Sequence, residues 1–213
     1  MITLIGGEKG GTGKTTIAVN LACLAAADGA DLVFVDTDPQ RSAAIFFAQR
    51  DESGQEPRVP CVEKRGKTLG RELQDLSKRY DLVMVDAGGR DSLELRYALG
   101  VADEVYTPIQ PAQADLWTLD KMSELLDQAW AFNPDLKAYV TLNRCSTNVR
   151  VTDPQEARDF LGEFAEYFTP LKTEIKDRIA YRRIFALGCS VVEYDSRDSA
   201  AKEMQELYKE IFY

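Results

Sequence analysis

Lys14 and Thr15 close a glycine-rich stretch, Lys9-Gly10-Gly11-Thr12-Gly13-Lys14-Thr15-Thr16, that directly follows the apolar run Ile2 to Ile5. A cation and a hydroxyl in that order suit a nucleoside triphosphate. The lysine ammonium neutralises β- and γ-phosphate oxygens, and the threonine hydroxyl can ligate Mg²⁺. Glycines at 10, 11 and 13 can take backbone conformations closed to residues with a Cβ, so consecutive N–H groups can point at phosphate oxygens. The apolar helix that begins at Lys14 adds its positive N-terminal end. Gly10, Gly11, Thr12, Gly13, Lys14, Thr15 and Thr16 are therefore the expected nucleotide-binding set. A glycine turn alone would be weak evidence; strand, glycines, Lys-Thr pair and helix in that order are specific.

Carboxylates follow where such a loop would need them. The run Leu32-Val33-Phe34-Val35-Asp36 continues into Thr37-Asp38-Pro39-Gln40, and Leu82-Val83-Met84-Val85-Asp86 into Ala87-Gly88-Gly89. Both have the form of a buried strand ending in Asp, and ligands bind at the carboxyl edge of parallel sheets. Asp86 can hold Mg²⁺ through water beside Thr15, and Gly88-Gly89 can serve as a mobile segment that senses the γ-phosphate. Asp38-Pro39 could also start a helix, with Asp as its N-cap. Asn143 ends a further apolar run, Val140-Thr141-Leu142. Its amide both donates and accepts, as the edge of adenine requires, although a turn Asn after a strand is the plain alternative. No guanine-reading N-K-x-D segment stands near it, which favours ATP.

These residues need a scaffold that brings strand ends together. Apolar runs alternate with amphipathic stretches, the pattern of β-α units around a parallel sheet. Strands are expected over residues 2–5, 31–36, 82–86, 104–108 and 138–143, with short ones near 59–62 and 169–175. Helices are expected over 14–28, 40–49, 70–78, 92–99, 115–131, 153–167, 178–187 and 196–211. The implied fold is a three-layer α/β P-loop fold, a mainly parallel twisted sheet flanked by helices. The 213 residues fit one domain spanning 1–213, and the polar stretch from Arg50 to Gly70 reads as a surface excursion around an edge strand. Cys23, Cys61, Cys145 and Cys189 are far apart and His is absent, which excludes the usual zinc patterns and any His-based general base. No apolar run approaches the roughly 20 residues of a membrane helix, and the N-terminus lacks the features of a secretory signal. A cytoplasmic protein is expected.

The loop departs from the ordinary G-x-x-x-x-G-K-[ST] pattern, with Glu8 where the first Gly would stand and Lys9 beside it. At this point the sequence resembles the deviant Walker A group of P-loop ATPases, whose K-G-G-x-G-K-[ST] signature matches Lys9 through Thr15. That group includes ParA-type partition ATPases, MinD, the nitrogenase iron protein and ArsA. The resemblance implies Mg-dependent ATP hydrolysis in a sandwich homodimer, with Lys9 reaching the partner's phosphates. It also implies that Asp38 orients or activates the attacking water, that Asp36 lies near the metal shell with Thr15 and Asp86, and that Asn143 reads the adenine amino group. Lys9, Lys14 and Asp38 are then the catalytic set.

Later segments narrow the resemblance. Ile175-x-x-Arg178-x-x-Tyr181, Gly188, Glu193 and Ala200-Ala201-Lys202-Glu203 look like the small ParA proteins of the ParF kind, which lack an N-terminal helix-turn-helix domain. The family implies nucleoid association, a ParB-like or cargo adaptor that stimulates hydrolysis, and salt-sensitive, non-specific DNA contacts, which fall here on Lys176, Arg178, Arg182 and Arg183. These four and Lys172 form a basic island on a chain of net charge −9, and a solvated helix face is the competing explanation. A MinD-like positioning ATPase would end in a basic amphipathic helix. Residues 200–213 lack a basic excess, so no membrane partner is expected, and Met204, Leu207, Ile211 and Phe212 suit core or dimer contacts. A nitrogenase-like reductase needs cysteines after Asp86, and a ligase of the dethiobiotin synthetase kind usually lacks the signature lysine.

Overall fold

Strands buried on both faces show no polar alternation, and the side chains of Leu32-Val33-Phe34-Val35 and Leu82-Val83-Met84-Val85 divide between two apolar cores. Val33, Val35, Val83 and Val85 face one side, and Leu32, Phe34, Leu82 and Met84 the other. The computed structural model describes residues 1–89, 92–111, 118–148 and 153–213. Its strands are β1 (Ile2–Ile5), β2 (Leu32–Asp36), β3 (Cys61–Glu63), β4 (Leu82–Asp86), β5 (Glu104–Ile109), β6 (Lys137–Leu142) and β7 (Thr169–Pro170). All pair in parallel in the order β3-β2-β4-β1-β5-β6-β7. The register sets Ile5 and Asp36 on either side of Asp86. The phosphate loop and two carboxylates thus leave the sheet side by side.

One face carries α1 (Lys14–Ala27), α2 (Ser42–Glu52), α7 (Ala180–Leu187), α8 (Val191–Tyr194) and α9 (Ser199–Phe212); the other carries α3 (Leu69–Ser77), α4 (Leu93–Leu99), α5 (Thr118–Trp130) and α6 (Asp153–Leu161). Helix α1 is buried over most of its circumference, and Ala18, Ala22, Cys23 and Ala25 let neighbours approach closely. Its Asn20, fully buried, donates to Thr16 O (2.7 Å) and accepts from Val191 N (2.8 Å). This ties α1 to the start of α8.

The expected elements are present, with informative differences at their ends. Helix α2 starts at Ser42 rather than Gln40 because Arg41 turns the chain with φ +57. Helix α6 stops at Leu161, and a single 3-10 turn covers Gly162–Phe164. The first residues of the helix expected from Asp115 lie outside the described residues. Strand β7 is two residues long; beyond it, Leu171 N and Ile175 N still donate to Val140 O and Leu142 O at 2.8 and 2.9 Å. The helix expected from Ser196 begins at Ser199, capped by Asp198. Helix α8 was not expected, although its signal was there: Ser190-Val191-Val192-Glu193 closes a full capping box.

Arg50 locks α2 to α8. Its side chain is fully buried and donates to Pro57 O (3.2 and 2.9 Å), Gly188 O (3.2 Å) and both Glu193 oxygens (2.9 and 2.7 Å). Gly188 is required beside it, because φ is +63 and a Cβ would lie 2.3 Å from Arg50 N. Breaking a buried pair strands the remaining charge. Arg50→Ala should lower the unfolding free energy by about 3 kcal/mol, the lower end for such pairs because Glu193 keeps some solvent access. A fall in the urea midpoint at unchanged slope is the measurement. A midpoint equal to wild type would show the lock to be dispensable.

Candidate nucleotide-binding site

The loop between β1 and α1 takes the shape its glycines permit. Gly11 and Gly13 have φ of +80 and +92, and the space where a Gly13 Cβ would sit lies 2.2 Å from Asn143 Nδ2. The loop carbonyls are drawn outward. Lys9 O accepts from Lys14 Nζ (2.6 Å), Gly11 O from Arg144 Nη1 (3.0 Å), Thr12 O from Asn143 Nδ2 (2.6 Å) and Gly13 O from Ile17 N (3.0 Å). With its acceptors satisfied, the loop offers N–H groups to an anion.

Asp86 is buried. Its Oδ2 accepts from the Thr15 hydroxyl at 2.7 Å, while Oδ1 is sealed from solvent with no hydrogen-bond partner. Burial pushes its carboxyl up to about 7, against the pull of the Thr15 hydroxyl and of Lys14. Burial also lowers the Lys14 pKa, opposed by Asp86, Asp38 and Glu8. An orphaned carboxylate oxygen beside a threonine hydroxyl fits a divalent cation. Among the described residues no group of three or more His, Cys, Asp or Glu could hold a metal, so phosphate and water oxygens must complete its shell.

Asp36 was expected in the metal shell, and the structure gives its carboxylate another task. Oδ1 accepts from Asp38 N (3.0 Å) and Oδ2 from Ala44 N (2.9 Å), with the residue fully buried. It holds the backbone of the loop that carries Asp38. The Asp38 carboxylate accepts from Gln40 N (2.8 Å) and lies 3.1 Å from where a Gly88 Cβ would be. A Cβ on Gly89 would fall 2.5 Å from Gly10 N. The Gly88-Gly89 pair thus faces Asp38 with one residue and the phosphate loop with the next, and at Gly89 only glycine fits.

A cleft of about 310 Å³ is lined by Lys14, Thr15, Asp38, Gly89, Arg144 and Phe185, among others. A smaller cavity of about 50 Å³ opens on the far side of Gly13 and Thr16, against Asn143, Ile175, Lys176, Asp177 and Tyr181. The two share Gly13, Thr16 and Arg144. Asn143 is where the sequence put it, with its Nδ2 spent on the loop. Arg144 was not expected here; the signal was its place after a strand-ending Asn, where it adopts φ +57.

The basic island divides. Lys176 is paired with Glu174 (2.6 Å), and Arg178 with Glu203 (2.6 Å), each about a quarter exposed. Both line the smaller cavity, each with its charge met by a carboxylate. Arg182 and Arg183 are exposed on α7, next to Asp177 (3.3 Å) and the Tyr194 hydroxyl (3.3 Å).

Residues 3–207 match the model of the CobQ/CobB/MinD/ParA nucleotide binding domain. The chain belongs to this family. It is an ATPase of the ParA and MinD kind, with ATP and Mg²⁺ as its ligands. It is 28% identical over 208 residues to the maintenance of carboxysome distribution protein A of Halothiobacillus neapolitanus, covering 95% of this chain and 92% of that one. It is 23% identical over 252 residues to the chromosome partitioning protein ParA of Myxococcus xanthus, covering 99% and 87%. Among solved structures, apo McdA of Cyanothece superposes with a TM-score of 0.80 at 17% identity, over 99% and 98% of the two chains. MinD of Pyrococcus horikoshii complexed with Mg-ADP gives 0.78 at 21%, over 99% and 95%.

Gly13→Ala places a side chain in a left-handed conformation and against Asn143. Mg·ATP affinity should fall roughly 10- to 100-fold, measured by calorimetry, as strain of one to three kcal/mol implies. Lys14→Ala should abolish binding. Wild-type affinity in either variant would remove the loop geometry from nucleotide recognition.

Proposed function

We propose that the protein is a ParA-type positioning ATPase, which distributes a cargo by cycling as an ATP-dependent sandwich dimer on DNA. The observation that carries this is Lys9, a second cation in a loop already served by Lys14. Lys14 is committed to its own loop through the Lys9 carbonyl. A second lysine there is useful to the nucleotide of another copy, where added positive charge in trans stabilises the transition state and makes dimerisation depend on bound ATP.

Asp38 orients the attacking water from the mouth of the cleft. Thr15 and Asp86 would hold Mg²⁺, which would supply charge neutralisation at the phosphate oxygens. Asp36 fixes the loop that carries Asp38. Arg182 and Arg183 supply phosphate-directed contacts to nucleoid DNA, and a ParB-like or cargo-specific adaptor accelerates hydrolysis and releases the dimer. The names of the relatives support cargo positioning, one for carboxysomes and one for chromosomes.

Helix α9 argues against a membrane-targeted, MinD-like reading. Ala200, Ala201, Met204, Leu207 and Tyr208 are buried in the core, which spends the apolar face a lipid surface would need. No helix among the described residues is long and apolar enough to cross a membrane.

Binding to random-sequence duplex DNA with ATP, ADP or no nucleotide across a salt series tests the proposal. ATP-dependent binding should weaken steeply with salt, and Arg182→Ala with Arg183→Ala should flatten the slope by about two. Lys176→Ala should leave the slope unchanged. No binding at low salt would overturn the DNA step. In ultracentrifugation, Lys9→Ala should bind ATP and stay monomeric, whereas Asp38→Ala should accumulate the ATP dimer. An ATP dimer of Lys9→Ala equal to wild type would sink the sandwich mechanism.

A further inference from the structure

The loop that carries Asp38 is gripped from outside the nucleotide cleft. The polar stretch around β3 does more than close the edge of the sheet. Arg65 Nη2 donates to the Asp38 carbonyl at 2.9 Å and lies 3.5 Å from Glu63 Oε2. Glu63 in turn accepts Arg41 in a bidentate pair, Nε at 2.7 Å and Nη2 at 2.6 Å. Arg41 is the residue whose positive φ turns this loop into α2. Beneath them, Lys64 N donates to Asp36 O at 3.1 Å, which seats the strand end against β2.

The same segment reaches the opposite wall. Gly66 N donates to Glu94 Oε1 at 3.2 Å, and Glu94 stands in the first turn of α4, the helix that follows Gly88-Gly89. Residues 63–66 therefore hold the backbone of Asp38 with one side chain and the helix after the glycine pair with one amide. Gly88 and Asp38 are themselves in near contact. These four residues link the two walls without lining either cavity themselves.

We propose that Arg65 is a positioning residue for ATP hydrolysis, holding the Asp38 backbone so that its carboxylate addresses the attacking water, with Glu63 fixing the guanidinium and Gly66 tying the same loop to α4. This rests on the assignment of Asp38 to the water. Arg65 and Glu63 are each more than a third exposed, and pairs of that kind contribute little to stability. Their removal should therefore leave the fold intact. Reaction geometry is far less forgiving, since a shift of about 1 Å can lower a rate by 10²-fold. The Asp38 carbonyl is not part of the phosphate cradle, so nucleotide affinity should not follow the rate.

Single-turnover hydrolysis of Mg·ATP and ATP affinity, measured on the full chain, separate these effects. Arg65→Ala should hydrolyse at least roughly tenfold more slowly with wild-type affinity and wild-type Tm. Arg65→Lys keeps one donor and should recover part of the rate. The proposal falls if Arg65→Ala hydrolyses at the wild-type rate while Asp38→Asn is inactive. It falls equally if Arg65→Ala loses affinity in proportion to rate, which is what a merely structural residue would do. Wild-type hydrolysis by Asp38→Asn would bring down the Asp38 assignment, and this proposal with it.

Discussion

A loop that turns its N–H groups toward an anion must find partners for the carbonyls it turns away, and most of this site follows from that demand. Lys9 O, Gly11 O and Thr12 O are held by Lys14, Arg144 and Asn143. Two of these donors come from the end of β6, some 130 residues further along the chain. The phosphate loop is therefore assembled by the sheet rather than by its own sequence. Gly13 marks the tightest point, where the helix N-terminus, the left-handed turn and the Asn143 amide meet with no room for a methyl group. Left unpaired, the buried Thr12 carbonyl would cost of order 1–3 kcal/mol, which makes the Asn143 brace as much a part of the cradle as the glycines.

The parallel register sets the electrostatic problem that this cradle answers. It places Asp36 and Asp86 in adjacent strands at the same height, with Asp38 just above. Three carboxylates share a small volume, and burial penalises the charge of Asp36 and Asp86. Each is resolved differently. Asp36 is saturated by two backbone amides, Asp86 shares one oxygen with Thr15 and keeps the other unpartnered, and Asp38 accepts from Gln40 N at the mouth of the cleft. Only Asp86 is left needing a cation, and it is also the one whose carboxyl burial raises most plainly.

Support for the site comes from parts of the chain that carry none of its chemistry. Arg50 and Glu193 fasten α2 to α8, and Glu203 of α9 receives both Lys176 N and the Arg178 side chain. Lys176 and Arg178 were read from sequence as surface cations because local composition shows charge but not partners. Their neutralising carboxylates stand at Glu174 and at Glu203, the latter on a separate helix. Helix α8 escaped notice because four residues are too few for an apolar period to register, even though its capping box could be read.

The sequence by itself determined the chemistry and the order of elements. A glycine-rich turn between an apolar strand and an apolar helix admits few conformations, and short continuous apolar runs ending in Asp, set between turn signals and rich in Val, fit strands buried on both faces. Those patterns singled out Lys14, Thr15, Asp86 and Asn143 as candidates, and the resemblance of the loop to a known signature added Lys9 and Asp38. Tertiary structure decided which atoms are free. It pairs the Asp36 carboxylate with the amides of Asp38 and Ala44, Lys176 with Glu174, and Arg178 with Glu203. It brought Arg65 and Glu94 to places that no local pattern marks. Motifs record what a residue can do; pairing across a parallel sheet, where neighbours in space are far apart in sequence, settles what it is left to do.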